Sequence, residues 1–216
     1  MSDLEICQNV DCGKPMPLGV DVCPYYHDGK PSPIQRKLLS DDEKQALEQR
    51  YQEAKLQAKS NGISDTFEQV EEYIAKNSHA VMNMDPRVLA LLLQRETSGI
   101  NTYYLQVEGQ VHQVAGVGDE EKRQAVDGLL FGSRKKHIRF AALSLNHQGL
   151  KSYGKCSITL ADSVMKNKAT LLWENSYDFV ERHNITFSDS KVPNGYQAVW
   201  EDRHKLAMAK VGESSP

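Results

Sequence analysis

The chain has 216 residues, of which 39% are hydrophobic and 25% charged, and its formal net charge is −3. These values are ordinary for a globular protein and give no global attraction to nucleic acid or to an anionic membrane, so a polyanionic partner must be met by a local patch. No apolar run approaches the roughly 20 residues of a membrane span, and the start MSDLEICQ lacks the features of a secretory signal. We therefore expect a cytoplasmic protein with reduced thiols.

Residues 1–33 are rich in glycine, proline and cysteine and predict a small zinc-binding module. Four of them have the spacing of metal ligands: Cys7, Cys12, Cys23 and His27. Three thiolates and one imidazole would close a tetrahedral zinc shell, which is typical of a structural site, although His27 could be a bystander. The ligand order resembles the CCCH zinc fingers, many of which bind RNA. Tyr25 and Tyr26 could stack on unpaired bases or could instead pack over the metal core.

Helices are predicted in the next part of the chain. Ser40 followed by Glu43 has the spacing of a capping box and predicts a helix that ends near Gly62. Its expected buried face is Leu47, Tyr51, Ala54 and Ala58. A second helix begins near Ser64, with the apolar stripe Phe67, Val70, Tyr73 and Ile74. A third begins at Asp85-Pro86, and its run VLALLLQ is expected to be buried on most sides.

The second half is predicted to be mostly β-structure. TYYLQV and QVHQVAG, separated at Glu108-Gly109, predict a hairpin, and a charged helix follows from about Asp119 to Leu130. Further strands are predicted in FAALSL, KCSITL, ATLLW and YQAVW. The element order indicates an α+β fold with a zinc-binding module (1–33), a helical lobe (34–90) and an α+β core (91–210).

The motifs of common enzyme classes, such as G-x-x-x-x-G-K-[ST] or G-x-S-x-G, are absent from the sequence. From Leu91 onward, however, LLLQRETSGINT, LLFGS, FAALSL, SYGKCSITL and ATLLWENSYDF follow the order and approximate spacing of a bacterial family of uncharacterised function. Its most specific positions are Tyr153-Gly154, Cys156, Val164, Thr170 and Ser176. That family resembles the mono-ADP-ribosyltransferase fold, a split β core with a helical N-terminal lobe that binds NAD in its cleft.

The chain departs from this pattern in three places. Leu92 stands where an arginine is expected, although Arg95 follows three residues later. Glu174-Asn175 replaces the expected Gly-Asp before Ser176. Val199 stands where the superfamily often has Glu or Gln, which argues against an arginine side chain as the acceptor.

The resemblance implies that NAD is the co-substrate and that Glu201 is the catalytic carboxylate. Transfer of ADP-ribose passes through an oxocarbenium-like state, which a well-placed carboxylate stabilises. By period two, Glu201 would share a strand face with Gln197 and Val199. The alternative is that Glu201 merely ends the strand.

Five further residues are candidate NAD contacts: Arg95, Ser152, Tyr153, Ser176 and Tyr177. Arg95 would bind the diphosphate, Ser152 and Tyr153 the ribose or nicotinamide, and Tyr177 would stack on a ring. Alternatively, Arg95 pairs with Glu96 on a helix surface, Tyr153 is a core residue, and Ser176-Tyr177 cap the helix DFVER.

The densest basic run is RKKHIR, in which Arg134, Lys135 and Lys136 are candidate nucleic-acid contacts. Such a run is usually a solvated loop. The favoured hypothesis is an NAD-dependent mono-ADP-ribosyltransferase that modifies RNA as a bacterial toxin in anti-phage defence, neutralised by an antitoxin. One alternative is an effector that modifies a protein such as ubiquitin. The other is an inactive, zinc-stabilised module that binds nucleic acid or protein.

Overall fold

The computed structural model describes residues 26–27, 30–31, 39–94, 102–108, 117–166, 169–186 and 192–214. In these ranges the fold is α+β. The strands are β1 (Tyr26–His27), β2 (Lys30–Pro31), β3 (His79–Met84), β4 (Ala142–Ser144), β5 (Cys156–Thr159), β6 (Thr170–Leu172) and β7 (Gln197–Val199). The helices are α1 (Asp41–Ser60), α2 (Ser64–Asn77), α3 (Pro86–Gln94), α4 (Tyr103–Glu108), α5 (Val117–Phe131), α6 (Asp162–Met165), α7 (Ser176–Arg182) and α8 (Arg203–Ser214). Three 3-10 helices span Gly132–His137, Lys151–Tyr153 and Trp200–Asp202.

All strand pairs in the described ranges are antiparallel. β3 is the centre of a three-stranded sheet in the order β4-β3-β5, where Leu143 lies opposite Ala80 and Cys156 opposite Met84. β6 and β7 form a separate pair in which Thr170 lies opposite Val199. β1 and β2 form a further two-residue antiparallel pair.

The first helix begins as its sequence predicts. The Ser40 hydroxyl accepts the Glu43 N–H at 3.2 Å, and the Glu43 carboxylate accepts the Ser40 N–H at 2.7 Å, so the capping box is confirmed. This exchange satisfies backbone donors that a helix start otherwise leaves unpaired. All four residues of the expected apolar face are buried: Leu47, Tyr51, Ala54 and Ala58.

α1, α2 and α8 pack together. The Lys205 ammonium contacts the Glu48 carboxylate at 2.8 Å near the start of both α1 and α8, and further along Gly212 lies against Ala54, so these two helices run parallel. Two apolar clusters form the core: the first lies between the helices and the β6-β7 pair, and the second lies among α1, α2 and α8. The first contains Leu47, Trp173, Phe179, Ile185, Val192, Ala198, Leu206 and Ala209. The second contains Tyr51, Ala54, Ala58, Phe67, Ile74 and Met208.

Several predicted elements are confirmed. α1, α2, α3, α5 and α7 occur where the sequence predicts them, and β4, β5, β6 and β7 lie within the four predicted strand runs. The sequence does not predict β3, although it is the central strand of its sheet. No helix in the described ranges is long and apolar enough to cross a bilayer.

Other predictions are wrong. TYYLQV does not begin a hairpin, because Tyr103–Glu108 is the helix α4, and QVHQVAG lies outside the described residues. On α2, Val70 and Tyr73 are 39% and 54% exposed, so its buried stripe is narrower than predicted. On α3, Val88 is buried as predicted, but Leu93 is 79% exposed, so the expected burial does not extend to this residue.

Candidate functional site

Three tyrosines from separate elements surround one arginine on α5. The Arg123 guanidinium carbon lies 4.4 Å from the centre of the Tyr103 ring and 5.8 Å from that of the Tyr153 ring. Tyr177 also interacts with it electrostatically. Burial of the half-buried guanidinium lowers the pKa of Arg123, but the electrostatic effect of the acidic groups around it, namely Tyr177, Tyr103, Tyr153 and Asp127, outweighs burial and leaves the pKa raised. We call Arg123, Tyr103, Tyr153 and Tyr177 the Arg123 centre.

Acidic residues of α5 hold the two tyrosines of α4. The Tyr103 hydroxyl donates to Glu120 at 2.5 Å, and the Tyr104 hydroxyl donates to Asp127 at 2.8 Å. Burial and the hydrogen bond to Glu120 raise the pKa of Tyr103 to about 12, so its ring remains a neutral phenol at physiological pH. These two bonds fix α4 against α5 and orient the Tyr103 ring.

Tyr177 reaches the centre from the first turn of α7. The Asn175 side chain caps this helix by accepting the Tyr177 N–H at 2.9 Å. The residue before it, Glu174, forms ion pairs with Arg182 at 3.1 Å and Lys210 at 3.9 Å. Glu174-Asn175 therefore has a structural role here, and the alternative that Ser176 or Tyr177 caps the helix is wrong. The ammonium of Lys122 lies 5.5 Å from the centre of the Tyr177 ring.

Tyr153 ends the 3-10 helix Lys151–Tyr153 and is 44% exposed, so it is not a core residue. Gly154 then passes directly over β3. A Cβ at this position would lie 2.2 Å from the carbonyl carbon of Met84, which no side chain can accept. Cys156, opposite Met84, starts the next strand. The motif Tyr153-Gly154-x-Cys156 thus has a steric basis in this fold.

The Arg123 centre has the chemistry of a site for an anionic ligand with a flat ring. A guanidinium donates several hydrogen bonds in one plane to phosphate or carboxylate oxygens. Partly exposed phenol rings offer faces to nucleobases or to nicotinamide. Glu120 adds a carboxylate at the edge of this centre, where it is bound to Tyr103.

Two of the residues predicted to contact NAD meet in this centre, namely Tyr153 and Tyr177. Ser152 is exposed beside Tyr153, and Ser176 is the first residue of α7, beside Tyr177. Arg95 lies outside the described residues. The sequence prediction does not include Arg123 or Tyr103. The sequence does contain a pattern that could have indicated them. Glu120, Arg123 and Asp127 share one face of α5 by helical spacing, and this face is partly buried.

Glu201 is separated from these residues by the register of the β6-β7 pair. β7 ends at Val199, and Glu201 lies in the 3-10 helix Trp200–Asp202 rather than on the strand, so its predicted strand face is wrong. Thr170 pairs with Val199 and Leu172 with Gln197. Glu201 therefore follows one end of this pair, whereas Tyr177 follows the other.

The segment with Glu201 borders a different concave surface, a cleft between the starts of α1 and α8. It is lined by Leu39, Lys44, Gln45, Leu47, Glu48, Val199, Asp202 and Lys205. Lys205 bridges Glu48 at 2.8 Å and Asp202 at 3.4 Å across this cleft.

The basic run is not a simple solvated loop. Arg134, Lys135 and Lys136 belong to the 3-10 helix Gly132–His137, and the side chain of Arg134 is not described. Lys135 donates to the Gln124 carbonyl at 3.1 Å and lies 5.7 Å from the centre of the Tyr104 ring. The Lys136 side chain is exposed.

The predicted zinc ligands fall mostly outside the described ranges. Cys7, Cys12 and Cys23 lie outside them, as does Tyr25. His27 and Tyr26 form β1, where His27 pairs with Lys30. Among the residues that the structure describes, no group of three or more metal-ligating side chains occurs, and Cys156 is a free thiol.

Comparisons of the chain with protein-family models, with curated proteins and with solved structures find no match.

Proposed function

We propose that this protein is an NAD-dependent mono-ADP-ribosyltransferase and that the Arg123 centre binds its co-substrate. The observation that carries the proposal is that Tyr153 and Tyr177, which are 24 residues apart in the sequence, lie against neighbouring cations of α5: Tyr153 is 5.8 Å from the Arg123 guanidinium and Tyr177 is 5.5 Å from the Lys122 ammonium. The family resemblance implies that both positions contact NAD. In this proposal, Arg123 takes the diphosphate-binding role that the sequence assigns to Arg95.

The reaction needs a carboxylate beside the ribose. The bond between nicotinamide and the ribose anomeric carbon breaks, the acceptor atom bonds to that carbon, and the acceptor loses a proton. Glu120 is a carboxylate at the edge of the proposed site, since it is bound to Tyr103. Glu201 is the carboxylate that the resemblance implies. Substitution of each can distinguish them.

RNA is the acceptor that we favour. Lys151 and Lys155 flank Tyr153, and both are exposed and form no ion pair with the described residues. An exposed aromatic ring between two such cations suits a single-stranded nucleic acid, which combines base stacking with backbone charge. A role as a toxin with an antitoxin partner, and structural zinc on Cys7, Cys12, Cys23 and His27, remain part of the proposal.

The test is transfer of radiolabel from NAD to total RNA or to a cell lysate. We expect label on an RNase-sensitive product, and at least a tenfold loss in Arg123→Met, since a charge-assisted bond to phosphate is removed. Arg87→Met is the matched control, because Arg87 is 89% exposed and pairs with its neighbour Asp85. Lys151→Ala with Lys155→Ala should weaken RNA labelling, whereas Lys166→Ala should not.

The outcomes separate the parts of the proposal. Absence of transfer would overturn the enzymatic function, and transfer unchanged in Arg123→Met would overturn the assignment of the centre. A loss in Glu120→Gln with full activity in Glu201→Gln would identify Glu120 as the carboxylate, and the reverse would identify Glu201. A protease-sensitive product would indicate a protein acceptor such as ubiquitin.

The position of Glu201 favours a second candidate function, a module that binds nucleotides or nucleic acid without transferring ADP-ribose. In that case the Arg123 centre would bind NAD or RNA, and no variant would transfer label. Equilibrium binding of NAD and of a fluorescent single-stranded RNA distinguishes this module from a protein that binds neither.

A further inference from the structure

The Asn83 side chain connects the central strand of the sheet to the segment that presents Tyr153. Its amide nitrogen donates to the carbonyl oxygens of Gln148 at 3.0 Å and Gly154 at 3.3 Å, and to the Ser157 hydroxyl at 3.1 Å. Its oxygen accepts the Leu150 N–H at 2.8 Å. One side chain therefore holds points on both sides of the 3-10 helix Lys151–Tyr153.

The chemistry of these bonds requires an amide. The donor half faces two carbonyl oxygens, and the acceptor half faces a backbone N–H, so only a group with both functions matches its surroundings. A carboxylate of the same shape would keep the bond to Leu150 but would point an anionic oxygen at the carbonyls of Gln148 and Gly154. A side chain that ends in a hydroxyl or a methyl group could not bond to all four partners of Asn83.

This arrangement leaves Tyr153 little freedom. It lies three residues after Leu150 and one before Gly154, and both of these residues are bonded to Asn83. Gly149 and Gly154 allow this segment to lie close to β3. A Cβ on Gly149 would lie 2.2 Å from the Asn83 side-chain oxygen, and a Cβ on Gly154 would lie 2.2 Å from the Met84 carbonyl carbon. The position of the Tyr153 ring near Arg123 thus depends on Asn83, a residue of β3.

We propose that Asn83 is a positioning residue for the Arg123 centre, holding Tyr153 against Arg123 through its bonds to Leu150 and Gly154. The consequence for NAD rests on the proposed function. The consequence for the geometry of the centre does not.

The direct test is the Nε–Hε resonance of Arg123 in a 1H–15N spectrum of the full chain, assigned by its loss in Arg123→Lys. Tyr153→Leu gives the shift expected when the aromatic ring is removed. We expect Asn83→Ala and Asn83→Asp to move the resonance in the same direction as Tyr153→Leu. Asn77→Ala is the matched control, because Asn77 donates to the Tyr73 carbonyl at the exposed end of α2.

Two further measurements accompany it. In Asn83→Ala, the Leu150 amide should exchange with solvent at least about tenfold faster, since it loses its acceptor. The Kd for NAD should rise about tenfold in both Asn83 variants with no such change in Asn77→Ala. If the wild-type chain binds no NAD, the proposed function fails while the resonance still decides the role of Asn83.

A resonance that stays at its wild-type position in folded Asn83 variants would overturn the inference, even if their stability falls. Should the Asn83 variants not fold, Ser157→Ala is the substitute. Ser157 is exposed and bridges Asn83 to the Gln148 carbonyl at 2.9 Å, so its loss should move the same resonance by a smaller amount. No movement in that variant would also contradict the inference.

Discussion

Asp127 is a carboxyl group whose ionised form is disfavoured by the fold. It is 3% exposed, and burial raises its pKa even though the Tyr104 hydroxyl and Arg123 act in the opposite direction. The native state therefore holds its proton more tightly than the unfolded state. The pKa of this carboxyl is about 3.8 in the unfolded chain and higher in the native state. As the pH rises through this interval, ionisation of Asp127 therefore lowers the free energy of unfolding.

We expect Asp127→Asn to be more stable than the wild-type chain at pH 7, because the amide cannot ionise and still accepts from Tyr104. The advantage should disappear below about pH 4, where the unfolded carboxyl is also protonated. Urea unfolding at pH 7 and pH 4 measures this difference. Asp178→Asn on the exposed side of α7 is the control, and an advantage of Asp127→Asn that grows in acid would contradict the argument.

At the scale of single residues, the sequence identifies some members of the Arg123 centre. Tyr153 and Tyr177 come from the family resemblance, whereas Arg123 lies in DEEKRQ, which has the composition of a solvated helix face. The sequence predicts a strand at Tyr103, and a strand at this position gives no reason to expect the hydrogen bond between Tyr103 and Glu120. The contribution of Asn83 depends on contacts with residues more than 60 positions away, and no local pattern indicates such contacts.

At the scale of elements, Arg203 joins α8 to the end of α2. It donates to the Ser78 hydroxyl at 2.9 Å, to the Trp200 carbonyl at 3.1 Å and to the Ala75 carbonyl, and it is buried. Its charge also lies at the end of α2 where the helix dipole is negative. The guanidinium thus satisfies one of the last backbone acceptors of α2, the Ala75 carbonyl.

We expect Arg203→Met to lower the free energy of unfolding by about 2–3 kcal/mol, because it leaves buried acceptors without a charged donor. Arg203→Lys should recover part of this loss. Arg87→Met should change stability by less than about 0.5 kcal/mol, since Arg87 is on the surface. Urea unfolding measures all three, and equal stabilities of Arg203→Met and Arg87→Met would refute the role of Arg203.

Elements whose ends are encoded locally are easier to predict than elements specified by distant contacts. α1 has a capping box and α3 has an aspartate before proline, so both starts are encoded locally. α4 resembles a strand in sequence because YYLQV is rich in aromatic and branched residues, and its helical form is stabilised by hydrogen bonds to α5. β3 escapes prediction because HAVMNM contains poor strand formers and is specified by its two neighbours in the sheet.

At the scale of the whole molecule, a close contact between α1 and α8 joins distant parts of the sequence. A Cβ on Gly212 would lie 2.5 Å from the Ala54 Cβ and 3.0 Å from its Cα, so the two helices approach through a glycine. α1 and α8 also contribute residues to both apolar clusters. Part of the stability of α1 therefore comes from its packing against α8.

We expect Gly212→Ala to destabilise the protein by about 1–3 kcal/mol, because overpacking outweighs the gain of about 1 kcal/mol in helix propensity. Gly118→Ala on α5 is the matched control, since a Cβ added there would have nothing within 4 Å and only the propensity gain remains. Urea unfolding and amide exchange in α1 measure the effect. A stabilised Gly212→Ala would mean that the helices separate without cost.

The parallel pairing of α1 with α8 also affects how the chain is made. α1 leaves the ribosome early, and all the strands from β3 to β7 must be synthesised before its partner emerges. Until then α2 covers part of the apolar face near Tyr51, but the part of α1 that packs against α8 has no partner. The contribution of Leu206, Met208 and Ala209 to the two apolar clusters is therefore the last to be added, and the packing of α1 is completed only once α8 has been synthesised.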